Sequence, residues 1–275
     1  MELGIFAKTF ERPTLEETLD AVVAHGFRHV QFNMQCAGLE PLPKAIDPAT
    51  VKRIRRACKQ RGIVIDALSG SFNMAHPDKA VRIEGLRRLE LLMAVANDLG
   101  ALLISLCTGT RDPEYMWRHH PDNTSQGAWD DALRSLRDAM MIAKEYDVSL
   151  GIEPEPGTIV CNARKSRKML RDVDQVGLGI IFDPANIIDG VPEDQVDAAI
   201  DSAINDIGYQ TYSVHGKDRD APGKVVPAGQ GIVPWKSFIA GLNRVGYSGP
   251  IILHGLEEPD VAAAKDFIQR QLETI

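Results

Sequence analysis

Short apolar runs alternate with longer amphipathic segments along the whole chain. Runs of four to six apolar-rich residues bounded by turn residues read as buried strands. Longer stretches with apolar positions three and four apart read as helices that bury one face. On that pattern strands fall at residues 3–6, 29–32, 63–68, 101–106, 148–152, 177–182, 210–214 and 250–253. Helices lie between them, at residues 14–26, 47–62, 78–99, 129–146, 163–173, 193–205, 235–245 and 259–272. The punctuation agrees. Thr14 precedes Glu17 by three, a capping-box spacing. Asp47-Pro48 opens and Gly62 closes the second helix, and Gly100 closes the third. Two stretches lack either period: residues 107–125, with Trp117, His119 and His120, and the glycine- and proline-containing residues 216–234.

Eight strand–helix units with no Ser/Gly-rich linker predict one α/β domain over residues 1–275. Alternating units imply parallel strands joined by right-handed crossovers, and eight of them predict closure into a (β/α)8 TIM barrel. An open doubly wound sheet is disfavoured because no G-x-G-x-x-G follows the first strand.

Composition narrows the partners. The chain is 44% hydrophobic and 25% charged, ordinary for a soluble domain. No apolar run approaches the roughly 20 residues of a membrane helix, and the first residues lack a signal-peptide pattern, so no membrane partner is expected. The net charge of −7 argues against nucleic acid, which is gripped mainly through phosphate neutralisation. The one basic cluster, from Lys52 to Arg61, has the spacing of a solvated helix face. Cys36, Cys58, Cys107 and Cys161 are scattered, with no C-x-x-C pair, which predicts free thiols and a cytoplasmic location. Cys107 reads as a buried small apolar side chain rather than a nucleophile.

In an α/β barrel the active site forms at the C-terminal ends of the strands. Strand five ends on Glu153 and Glu155, strand six on Asp183 and Asn186, strand seven on His215, Lys217 and Asp218, and strand eight on His254. Carboxylates converging on one mouth repel each other and are costly to desolvate, and a divalent cation removes both problems. Mixed carboxylate and imidazole ligands suit Mn, Zn or Co.

These segments resemble the xylose-isomerase-like superfamily of sugar isomerases and epimerases, which also holds metal-dependent dehydratases and apurinic endonucleases. The carriers are Ile152-Glu153-Pro154, Phe182-Asp183-Pro184-Ala185-Asn186 and Val214-His215-Gly216-Lys217-Asp218. The segment from Gly229 to Trp235 and the approach to strand eight from Gly246 complete them. The resemblance covers roughly residues 148–255. It implies one divalent cation (Mn, Mg, Co or Zn) held by Glu153, Asp183, His215 and the residue at position 254. There His254 stands where the superfamily has glutamate. Asn186 stands where many members carry a substrate-contacting histidine.

The resemblance implies an isomerase or epimerase of a small sugar or keto sugar, working through an enediolate. Glu153, or its same-face neighbour Glu155, would move the proton and His254 would return it. Glu155 is also the alternative metal ligand. Expected substrate contacts are Glu155, Asn186, Lys217, His76 and His120, with Asn73 and Lys8 as weaker candidates. Lys217 has a second reading as the ion-pair partner of Asp218. Other readings are a dehydratase of a polyol ketone or related acid, and a non-catalytic sugar-binding barrel. Seven histidines and the negative charge disfavour an endonuclease. Barrels of this kind often pair, so a homo-oligomer is possible.

Overall fold

The computed structural model describes residues 1–274. Eight parallel strands close into a barrel: β1 (Leu3–Phe6), β2 (His29–Phe32), β3 (Val64–Ser69), β4 (Leu103–Leu106), β5 (Ser149–Ile152), β6 (Leu178–Phe182), β7 (Thr211–Arg219) and β9 (Ile251–Leu253). Consecutive strands pair from β1 to β6, β7 pairs with β6, and β9 bridges β7 and β1 to complete the ring. The helices between them are α1 (Leu15–Ala24), α2 (Pro48–Arg61), α3 (Lys79–Leu99), α4 (Gln126–Glu145), α5 (Ala163–Val173), α6 (Pro184–Ile187), α7 (Val196–Ile207), α8 (Trp235–Arg244) and α9 (Val261–Glu273). Among the described residues no helix is long and apolar enough to cross a membrane.

The local signals act as expected. Thr14 accepts from Glu17 N while Glu17 Oε2 accepts from Thr14 N, so two orphan donors at the start of α1 are satisfied. Gly62 and Gly100 end α2 and α3 in the left-handed region. Two features differ from the sequence reading. The seventh strand continues to Arg219 and folds back on β8 (Val225–Pro227) as an antiparallel hairpin, because Pro222-Gly223 supplies a tight turn with Gly223 at φ 99°. The short helix α6 also follows β6 directly, with Asp183 capping its first N–H groups.

Alternation along the strands sorts residues between two cores. Outward-facing apolar residues pack under the helices, where Phe10, Phe27, Phe32, Phe182 and Phe238 are fully buried. Each such side chain contributes about 1.5–3 kcal/mol relative to exposure. The barrel interior is narrower. A Cβ on Gly4 would meet Ile252 Cδ1 at 2.4 Å, and one on Gly151 would meet Ile181 Cδ1 at 2.4 Å. Ala67, Leu103 and Ile181 form a separate apolar cluster there. One step further toward the C-terminal ends, the same inward positions turn polar, and the candidate site begins.

Candidate active site

Glu153, Asp183 and His215 meet at the C-terminal mouth, following the inward positions Gly151, Ile181 and Ser213 by two residues. Glu153 is 7% exposed, Asp183 0% and His215 1%. One potential ligand atom from each lies within 4.8 Å of the other two. His215 Nδ1 is 3.0 Å from Glu153 Oε1 and 3.9 Å from Asp183 Oδ2. Its Nε2 faces Gln31 Oε1 at 2.8 Å. Glu153 Oε1 also accepts from Asn186 Nδ2 at 3.1 Å. Asp183 Oδ1 accepts from the N–H groups of Ala185 (2.9 Å) and Asn186 (3.3 Å).

Asp183 Oδ2 is different. It is buried and accepts no aligned hydrogen bond. The nearest cation, Lys217 Nζ, lies 2.8 Å away but off the hydrogen-bonding direction. An oxygen with a free lone pair, facing an imidazole nitrogen and a second carboxylate, is a fitting place for a divalent cation. Glu153, Asp183 and His215 therefore form a donor set that fits a metal.

The charges are tightly interdependent. Burial works to raise the Glu153 carboxyl, but the charge and hydrogen bond of His215 outweigh it and hold the group at about 2. Burial raises Asp183 above its usual range, against the pull of Lys217. Burial works to lower His215, yet the charge of Glu153 raises it and favours the imidazolium. Metal binding would have to displace a proton from that ring.

Glu155 lies two residues beyond Glu153 and faces a cavity of about 500 Å³. Burial, then the charge of Glu153, pushes its carboxyl up to about 8. Its carboxylate accepts no hydrogen bond among the described residues. His254 also lines this cavity but does not join the metal-capable group. Its ring packs 5.0 Å from that of His215 and 5.1 Å, edge-on, from Phe6. Burial, then the positive charges of His215 and Lys217, holds it well below its ordinary value, so it is neutral.

The other expected contacts are placed differently. Asn186 and Lys217 are buried and do not line the cavity, with Lys217 Nζ donating to Asn186 Oδ1 at 2.9 Å. Lys217 pairs with Asp183, not with Asp218. Asp218 accepts instead from the N–H groups of Arg219, Gly229 and Val233 and from Trp235 Nε1, all at 2.9–3.0 Å, and so pins the loop before α8. His76 is also off the wall, because its Nε2 meets Pro113 O at 3.1 Å and its Nδ1 accepts from Asp78 N at 3.0 Å. His120 caps a turn by accepting from Asp122 N at 3.2 Å, and it too is absent from the wall. Asn73 fastens the 107–125 loop through Thr110 N and Asp112 O. That loop does reach the cavity, through Tyr115, Met116 and Trp117. Lys8 stands at the rim, its Nζ 4.9 Å from the Phe6 ring centroid.

Residues that the strand-end reading missed complete the wall: Gln31, Asn33, Ser69, Ser71 and Ser105. Their signal was present as single polar residues at alternate positions in or just after short apolar strands. The remaining expectations concern surfaces. The basic face of α2 is a solvated one, with Arg53 and Arg61 paired to Glu16 and Asp20 of α1. All four cysteines are free, and burial pushes the Cys107 thiol far above its usual range.

The family model described as the xylose isomerase-like TIM barrel matches residues 19–271. The chain is 24% identical over 209 residues to an L-ribulose-5-phosphate 3-epimerase of Salmonella paratyphi C (strain RKS4594), covering 73% of this chain and 68% of the relative. The crystal structure of a D-tagatose 3-epimerase-like protein superposes with a TM-score of 0.80 at 18% identity, covering 100% of this chain and 98% of that one. The IolI protein, whose structure contains a bound zinc atom, superposes with a TM-score of 0.72 at 17% identity over 100% of this chain and 96% of that one.

Proposed function

Because the chain belongs to the xylose isomerase-like TIM-barrel family, we propose that it is a divalent-metal-dependent isomerase or epimerase of a small sugar or keto sugar, working through an enediolate. The observation that carries this reading is the buried Glu153–Asp183–His215 group at the floor of a cavity walled by hydroxyl and amide side chains. A cation held there would supply Lewis-acid stabilisation of the negative charge that builds on adjacent sugar oxygens.

The protein's own groups divide the remaining work. Glu153 is committed to Asn186 and His215 and serves as a ligand rather than as a base. Glu155 faces the cavity with no hydrogen-bond partner among the described residues; its carboxyl is raised to about 8, and in its ionised form it takes the proton from the carbon beside the carbonyl. His254 reaches the cavity from β9, three strands round from β5; neutral at rest, it takes up a proton from solvent and delivers it from a different direction. Gln31, Asn33, Ser69 and Ser105 orient the sugar hydroxyls. Tyr115 and Trp117 cover the sugar's apolar face and exclude water.

The relatives named above favour ketoses as first substrates. The test is to incubate the purified protein with a panel of ketoses and ketose phosphates, with added Mn²⁺ or Co²⁺ and after exhaustive chelation. The products are then separated and weighed. Metal-dependent formation of an isomer of unchanged mass is expected. Loss of 18 mass units would instead identify a dehydratase, and binding without turnover across the panel would sink the enzymatic reading.

A further inference from the structure

We propose that the Lys217 ammonium is a resident counter-cation that holds the Glu153–Asp183–His215 group together without a metal ion and weakens the binding of one. This rests on the metal-site reading above and adds the residue that sets the affinity. Lys217 follows His215 by two on β7, so strand alternation sends both side chains inward. It is only 5% exposed. Its Nζ lies 2.8 Å from Asp183 Oδ2 and 2.9 Å from Asn186 Oδ1. Asn186 passes the contact on by donating to Glu153 Oε1 at 3.1 Å. The ammonium thus touches one candidate ligand directly and a second through a single amide.

Two buried carboxylates with no cation would be costly to assemble. Lys217 offsets that cost, and its charge is not spent elsewhere, because the adjacent Asp218 is saturated by four N–H donors. The same charge opposes an incoming divalent ion. Asp183 Oδ2 is the oxygen with an open lone pair, and it is also the oxygen against which Lys217 rests. Metal binding must share or displace that contact, in surroundings that screen like charges poorly. Lys217 is therefore a positioning residue: it keeps the empty site formed and keeps the bound ion exchangeable.

The experiment compares the unmodified protein with Lys217→Met, Lys217→Gln and Lys217→Arg. Each is titrated with Mn²⁺ alone and Co²⁺ alone by calorimetry and melted with and without each ion. Both neutral variants are expected to bind the ions about tenfold more tightly or better. They should melt earlier without metal, and gain more from saturating metal than the unmodified protein does. Lys217→Arg, which keeps the charge, should keep an affinity close to the original. Lys217→Gln retains a polar head for Asn186 and answers the question if Lys217→Met does not fold. Equal or weaker affinity in the neutral variants, with an unchanged metal-induced shift, overturns the inference and leaves the metal site standing. No ion binding by any of the four proteins overturns both.

Discussion

Around the barrel mouth, the ends of β5, β6, β7 and β9 carry Glu153, Asp183, His215, Lys217 and His254, whereas β2, β3 and β4 present Gln31, Asn33, Ser69 and Ser105. On one half Glu153, Asp183, His215 and Lys217 are buried and joined to one another, and the neutral His254 packs against the His215 ring. The other half is neutral, and its amides and hydroxyls line the cavity, with Gln31 bonded to both His215 and Ser69. Buried charge is tolerated only where opposite charge or hydrogen bonds compensate it, so the ionic groups gather on adjacent strands. Neutral donors and acceptors carry no such requirement and can be spread along a wall. Under the proposed function, chemistry falls to the first half and recognition to the second.

Four substitutions break or sharpen that division, and they should do so in falling order of effect. Glu155→Gln removes the proposed base while leaving shape intact. It is expected to lower kcat by about 10²–10⁴ with KM and metal affinity nearly unchanged; a normal kcat would move the base elsewhere. Asp183→Asn deletes a ligand charge. Activity should fall by about 10²–10³ and calorimetry should show weakened metal binding, so full metal affinity in this variant would remove Asp183 from the ligand set. Asp218→Ala tests the scaffold behind the charged half. It leaves four N–H donors without their acceptor and should cost at least about 3 kcal/mol in a denaturant titration, a loss that a purely solvated aspartate would not produce. Ser105→Ala probes the neutral half. Its effect should be confined to KM, a rise of a few-fold for the loss of about 0.5–1.5 kcal/mol of hydrogen bonding. A large fall in kcat would place chemistry on the recognition side.

The two halves were also unequally legible in the sequence. Glu153, Asp183, His215 and His254 stand directly after apolar runs, where a change from apolar to ionisable residues is visible without structure. The barrel itself was legible for the same reason, because the eight strands are short and apolar and alternate with amphipathic helices. Gln31 and Ser105 sit inside four-residue strands, and one neutral polar residue in such a strand is no signal until its neighbours' inward positions are known. Counting alternate positions back from the strand ends would have found both.

Lys217 shows the same rule from the other side. Asp218 is its neighbour in sequence, but adjacent strand residues face opposite ways, so its partner is Asp183 on the next strand. His76 and His120 drew attention by residue type. Their positions outside the cavity wall follow from nearby turns, whose backbone N–H and carbonyl groups occupy the imidazoles. The β7–β8 hairpin was hidden because its strands continue past the barrel rim, where the apolar pattern has already stopped.

The measurement that tests the account most directly is solvent hydrogen exchange into a ketose found to turn over. The metal-loaded protein is incubated with it in deuterium oxide and followed by proton NMR. The C–H beside the carbonyl is expected to lose its signal at a rate matching turnover. That loss should vanish after chelation and in Glu155→Gln. Turnover with full retention of that proton, or unchanged exchange after the metal is removed, would contradict proton transfer by Glu155 at a metal-stabilised enediolate.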